Sequence, residues 1–317
     1  LDFSWFTTAF GTVTGVATVI GAIGVMLTLH KLWADRLHVH VIKSPHDDDL
    51  VHIWELQKAL FEPHDCDTLE DLQDWVEHNG RGNDRPGDLR QHFVILALKS
   101  KRKVCGFIYA QYFPLRQTGF LGFLVVQPGK DDAEKIVQDG ALMLLKGMLR
   151  AFDKTGHRWR FIVTEVQDLP NTSRAYAKLR RFNNAAEKLS AQAGKKPVGV
   201  FRMPVAYEQP PLDLERFAET DLDAWRNPHW LLIAPRREED LRTSGSHKTL
   251  SKQLVGEVLE TLAMSYAENF PESKAYGAYL QKQLASYKAA LPEAVPLQRP
   301  RRRVRPQNQE QRVSEDA

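Results

Sequence analysis

The sequence predicts an α+β protein: a mixed central sheet, preceded by an N-terminal transmembrane helix and followed by a C-terminal helical extension. Three observations carry this expectation. Between Leu37 and Leu212, short apolar runs of strand character alternate with stretches of helical period. The run from Phe3 to Leu29 holds no charged residue. At Pro210-Pro211 the character changes, and two amphipathic stretches then lead into a tail rich in Pro, Arg, Gln and Glu.

The N-terminal run comes first. About 20 apolar residues suffice to cross the hydrocarbon core of a bilayer, and Phe3 to Leu29 exceeds that. No basic n-region precedes it and no A-x-A-like site closes it, so it reads as an anchor rather than a signal peptide. Lys31, Arg36 and Lys43 follow it and no basic residue precedes it, which sets the N-terminus outside and the main domain in the cytoplasm, a single-pass placement. Trp5 and Trp33 stand near its two ends. Gly11 and Gly15 form a GxxxG, through which two copies can associate. The expected partners are therefore the membrane bilayer and a second copy. Cys66 and Cys105 form no CxxC, which fits a reducing compartment. Hydrophobic residues make up 43% of the chain and charged residues 26%, enough for a real core. The net charge of +3 gives no field that argues for nucleic acid.

The soluble elements follow in order. Leu37 to Lys43 alternates as a half-buried strand. A turn at Ser44 to Asp47 leads to a helix from Asp49 to Leu60, with Leu50, Ile53, Trp54 and Leu56 at helical spacing. His38, His40 and His46 beside Asp47, Asp48 and Asp49 raise the question of a metal. No ligand spacing such as HExxH is present, so a solvated turn and helix start is the reading. A second helix spans Thr68 to Glu77, with Thr68 as N-cap and Asp71 three residues on. Asn79 to Gly87 is a loop. Phe93 to Leu98 and Val104 to Phe113 form a hairpin about the polar turn Lys99 to Lys103, and Gly119 to Val126 is a third strand. After a break at Gln127 to Asp132, an amphipathic helix runs from Ala133 to Lys154. Arg160 to Val166 is a strand, Asn171 to Gln192 a helix and Pro197 to Ala206 a strand. The unit from Gly119 to Val166 should be parallel. Beyond it, Trp230 to Ala234 reads as a short strand, and Lys248 to Ala267 and Glu272 to Ala290 as a helical hairpin. From Leu291 the composition predicts disorder. Arg299, Arg301, Arg302, Arg303 and Arg305 cluster there, a tract suited to anionic lipid or RNA. The expected divisions are an anchor and basic flank over 1–36, a main domain over 37–212, a helical extension over 213–290 and the tail over 291–317.

The order of elements over Leu37 to Leu212 resembles the GCN5-related N-acetyltransferase (GNAT) family. The β-αα start matches its N-terminal unit. Val104-Cys105-Gly106-Phe107-Ile108 looks like its V-x-G strand. Leu124-Val125-Val126-Gln127-Pro128, followed by a helix with Leu142-Met143-Leu144-Leu145, looks like its acyl-CoA segment. Asn171 through Tyr176 to Phe182 looks like its last helix.

The resemblance implies a GNAT-type sheet and acetyl-CoA, or another acyl-CoA, as co-substrate. Backbone near Val125 and Val126 would bind the pantetheine arm and polarise the acyl carbonyl. The helix start after Gln127 would take the pyrophosphate, with Lys130 and Lys135 as the nearby cations. The family's phosphate pattern, Q/R-x-x-G-x-G/A, falls on Ile136 to Ala141, where only Ala141 matches; shifting by one puts Gly140 on a glycine position. Asn171 would either cap its helix or position the pantetheine, and Tyr176 would be the general acid. Glu165, near the end of its strand, would serve as a base through water. The expected function is a membrane-anchored N-acyltransferase that moves an acetyl or related group from acyl-CoA to an amine acceptor. The poor phosphate pattern leaves a second expectation: a non-catalytic, membrane-tethered sensor or scaffold on a degenerate fold of this type.

Overall fold

Residues 37–61, 66–80, 91–127, 133–156, 158–167, 199–211, 225, 227–267 and 273–299 are described by the computed structural model. The middle of the sheet comes from the apolar runs of the sequence. β2 (His92–Ser100) and β3 (Lys103–Phe113) pair antiparallel. They are joined through Lys101 and Arg102, which both have positive φ, as a tight two-residue hairpin requires. β1 (His38–Val41) flanks β2, and β4 (Thr118–Val126) pairs antiparallel with β3. β5 (Phe161–Gln167) lies parallel to β4. Parallel strands need a crossover, and α3 (Ala133–Asp153) supplies it.

Beyond β5, the sheet departs from the sequence reading. β8 (Pro228–Pro235) pairs with β5 along all seven β5 residues, and β6 (Phe201–Arg202) and β7 (Tyr207–Glu208) both pair with β8. The order is β1-β2-β3-β4-β5-β8-β6. The expected strand from Pro197 to Ala206 is thus corrected to two residues, with Pro204 standing outside the strands; a proline cannot donate to a ladder. The short strand expected at Trp230 to Ala234 is instead a long interior one, so the sheet draws on residues either side of 212.

Side chains alternate between the two faces of the sheet, as strand geometry requires. Leu96, Leu98, Ile108, Leu121, Ile162 and Leu232 face α3, against Leu144, Leu145, Met148 and Phe152. On the opposite face, α1 (Asp48–Leu60) and α2 (Leu69–Gly80) cover Ile95, Phe107 and Tyr109. Asp47 caps α1 by accepting from the Asp49 amide at 3.0 Å. Thr68 and Asp71 cap α2 reciprocally, each side chain accepting from the other's backbone N–H at 3.0 Å. The C-terminal hairpin, α4 (Lys252–Ala267) and α5 (Lys274–Ala290), packs on Phe120, Phe161, Val163, Leu231 and Ile233. A small sheet accompanies it: β9 (Arg242–Ser244), β10 (His247–Ser251) and β11 (Ala294–Leu297), ordered β11-β10-β9.

Three expectations are corrected. Among the described residues no helix is long and apolar enough to cross a membrane. The run Phe3 to Leu29, with Gly11 and Gly15, lies outside the described residues. The single-pass placement and the bilayer as partner are therefore withdrawn. The disorder expected from Leu291 does not hold at Ala294–Leu297, where pairing with β10 satisfies the backbone and Val295 and Leu297 are buried. Of the arginine tract, Arg299 lies 5.9 Å from the Phe201 ring centroid. Arg301, Arg302, Arg303 and Arg305, the rest of the tract expected to contact lipid or RNA, lie outside the described residues.

Candidate functional site

β4 and β5 begin as neighbours and then part. Their parallel pairing runs from Thr118 opposite Phe161 to Leu121 opposite Thr164. Past that point β4 continues through Val126 on β3, while β5 continues through Gln167 on β8. The cause is visible in the register of β3 against β4. Ala110 is opposite Leu121 and Tyr109 is opposite Phe123, so Gly122 is an extra residue in β4. Such a bulge bends its strand. Only glycine suits the place: a Cβ there would lie 2.9 Å from the Tyr109 ring, which is itself stacked on Trp75 at 4.6 Å. Beyond Gly122, one edge of β4 has no ladder partner among the described residues, so alternate backbone N–H and C=O groups are available to an extended ligand.

Glu165 is the first residue of β5 after the parting. Its Oε2 accepts from the Tyr266 hydroxyl at 2.5 Å and from Gln209 Nε2 at 3.1 Å. Its Oε1 is out of reach of solvent and makes no hydrogen bond of normal geometry, and the same holds for the Tyr207 hydroxyl that lies against the carboxyl. The residue as a whole is half-buried, but its head group is desolvated. That burial pushes the Glu165 carboxyl above the usual carboxylate range; His229 and the donors Tyr207, Tyr266 and Gln209 offset part of the rise. Burial beside Glu165 likewise drives the Tyr207 and Tyr266 phenols well up, so both stay protonated donors.

The other expected site residues scatter. Val125 is buried with its side chain toward α1 and α2, and Val126 is partly buried against α3. Gln127 is exposed and donates its backbone N–H to Cys105 at 2.7 Å. Lys135 belongs to the first turn of α3. Gly140 and Ala141 are inside that helix, past the first turn, which is where a helix has free N–H donors. Gly140 instead allows close packing: a Cβ there would lie 2.5 Å from Leu98 Cδ2 and 3.2 Å from Val126 Cγ1. Lys130, Asn171 and Tyr176 lie outside the described residues. The sequence reading missed Tyr207, Gln209, His229 and Tyr266. They reach Glu165 from β7 and the residue after it, from β8 and from α4, and no local pattern ties them to β5.

His40, Asp47 and Asp49 also converge, with ligand atoms within 4.8 Å of one another. Lys99 Nζ donates to both Asp49 oxygens at 2.7 Å, and His40 Nδ1 lies 2.6 Å from Oδ2. An ammonium thus already occupies the carboxylate that a metal would need.

No protein-family model and no curated protein matches the chain. Solved structures do. The chain is similar to an acetyltransferase of the GNAT family from Streptococcus pneumoniae at 15% identity and a TM-score of 0.33, covering 63% of this chain and 99% of that one. Against the aminoglycoside 6'-N-acetyltransferase from Enterococcus faecium the identity is 16%, the TM-score 0.34 and the coverage 63% and 99%. Against a ribosomal-protein alanine N-acetyltransferase from Escherichia coli they are 12%, 0.37, and 67% and 98%.

Proposed function

We propose that the chain is an N-acyltransferase that moves an acetyl or related group from acyl-CoA to an amine. The observation that carries this reading is the fork itself: a bulged strand with an open backbone edge, and a desolvated carboxyl on the neighbouring strand where the two part. The open edge of β4 suits the amides of a pantetheine arm, which need donors and acceptors at strand spacing. A free N–H there would stabilise the oxyanion that develops on the thioester carbonyl. An amine acceptor arrives as an ammonium and must lose a proton before its nitrogen attacks. A carboxyl raised above its ordinary range is a stronger base for that step than a free one. The C–N bond forms, the C–S bond breaks, and the departing thiolate takes a proton; the family resemblance gives that donor role to Tyr176. α3 follows β4 in the chain, and its first turn is the proposed site for the pyrophosphate.

The experiment is release of free thiol from acetyl-CoA in the presence of a panel of amines. Turnover with at least one amine is expected, falling about a hundredfold or more in Glu165→Gln. Absence of turnover with every amine contradicts the reading. A non-catalytic role is the second reading, favoured by the position of Gly140 and Ala141 inside α3; acetyl-CoA that binds without turnover would select it.

A further inference from the structure

The C-terminal hairpin does more than cover the sheet at the fork. Two consecutive residues at the end of α4 reach strands on opposite sides of β4. Tyr266 donates to Glu165 on β5 at 2.5 Å. Ser265 donates to Gln111 Oε1 on β3, and Gln111 Nε2 donates in turn to the Tyr109 hydroxyl at 2.5 Å. Gln111, Ser265 and Tyr266 are all buried. The helix that carries them is fixed by Val255, Val258, Leu259 and Leu262 in the core.

The second donor to Glu165 is held as firmly. Gln209 Oε1 accepts from Asn227 Nδ2 at 3.0 Å, so its Nε2 must face the carboxyl. Its backbone exchanges with Asn227 O at 2.9 Å and Trp225 Nε1 at 2.8 Å. Both donors address Oε2, and the Tyr207 hydroxyl lies against the same carboxyl.

We propose that Tyr266 is a positioning residue: with Gln209 it holds Glu165 through Oε2 at the point where β4 and β5 part, so the C-terminal hairpin is part of the reacting unit. The proposal rests on the acyl-transfer reading. The groups facing Glu165 are Tyr207 on β7, His229 on β8, Tyr266 on α4, and Tyr276 and Tyr287 on α5, and the phenols are neutral donors. A hydroxyl that donates to the carboxyl favours its ionised form. Removing the Tyr266 hydroxyl therefore moves the Glu165 titration upward, by about one pH unit.

The test compares wild type, Tyr266→Phe and Ser265→Ala as full chains. Glu165 is titrated by difference infrared spectroscopy, its carboxyl band identified by its loss in Glu165→Gln. Thiol release from acetyl-CoA is followed against pH. In Tyr266→Phe the band should titrate about one pH unit higher. The acidic limb of kcat should move with it, and kcat near neutral pH should fall about tenfold, with KM for acetyl-CoA unchanged. Ser265→Ala controls for the stability of α4 and should leave the band in place. An unmoved band in a folded Tyr266→Phe overturns the proposal, as does an equal shift in Ser265→Ala. If wild type releases no thiol with any amine, the acyl-transfer reading fails, and the infrared titration still decides whether Tyr266 governs the carboxyl.

Discussion

Asp49 and Glu165 both place a carboxyl out of water, and the two do opposite things. Asp49 starts α1 and its side chain is only 7% exposed. Burial pushes its carboxyl up, but Lys99 and His40 outweigh that and hold it below its ordinary value. Glu165 meets His229, phenols and an amide instead. These groups offset only part of the desolvation, and its carboxyl stays raised. The difference is an ammonium in direct contact with both oxygens of Asp49. A carboxylate held that way is a latch between α1, β1 and β2. A carboxyl without such a contact gives up its proton less readily than an ordinary one.

The comparison breaks most readily through activity. Glu165→Gln should lower thiol release about a hundredfold or more, whereas Asp49→Asn should leave it within about threefold in protein that remains folded. Equal losses in both would show that Glu165 acts only through the fold.

Stability gives the next largest effect, and there Asp49 is the sensitive residue. Asp49→Ala should cost about 2 kcal/mol in urea unfolding at neutral pH, the scale of a hydrogen bond to a charged group. A lowered folded value means stability that is present above the unfolded value of 3.8 and lost as pH falls through the folded one. The gap between wild type and variant should therefore close in acid. A pH-independent gap would contradict the ion-pair account.

For Glu165 the sign reverses. Its folded value lies above the unfolded value of 4.5, so its contribution is complete below that pH and is lost as pH rises through the folded value. The melting temperature of Glu165→Gln should gain on wild type as pH rises above the unfolded value of 4.5. Lys99→Met sharpens the contrast, since it removes the cation that distinguishes the two sites. In that variant the pH dependence contributed by Asp49 should turn toward that of Glu165, seen as stability that no longer rises as pH increases through the acid range.

The smallest effect is expected at Asp67, which accepts from Gln57 Nε2 at 2.9 Å. Burial, with Asp71 nearby, pushes its carboxyl up to about 7 despite that hydrogen bond. Asp67→Asn should match wild type in melting temperature near pH 4 and exceed it by a few degrees at most near pH 8. A variant less stable at the higher pH would break the rule drawn from Glu165.

Local signals in the sequence were good guides to local structure. The Thr68 cap, the hairpin about Lys101 and Arg102, and the crossover helix from Ala133 are all present. Pairing across long separations was not legible. Nothing around Trp230 shows that its strand will lie against β5 rather than in an appended unit. Half of the candidate site was lost with it, because Gln209 and Tyr266 reach Glu165 only once β8 and α4 are in place. The bulge at Gly122 was hidden for a related reason: it is a property of the register between two strands, and the run from Gly119 to Val126 reads the same with or without it. Gly140 misled in the other direction. A glycine near a helix start suggests a phosphate, but here it accommodates Leu98 and Val126.

In the function proposed above, the fork between β4 and β5 takes acyl-CoA. Isothermal titration of the full chain with acetyl-CoA tests it most directly. Saturable heat is predicted, displaced by desulfo-CoA and accompanied by a rise in melting temperature that grows with ligand concentration. No heat and no thermal shift at about millimolar acetyl-CoA, a concentration at which even weak binding of about 4 kcal/mol would register, would contradict it.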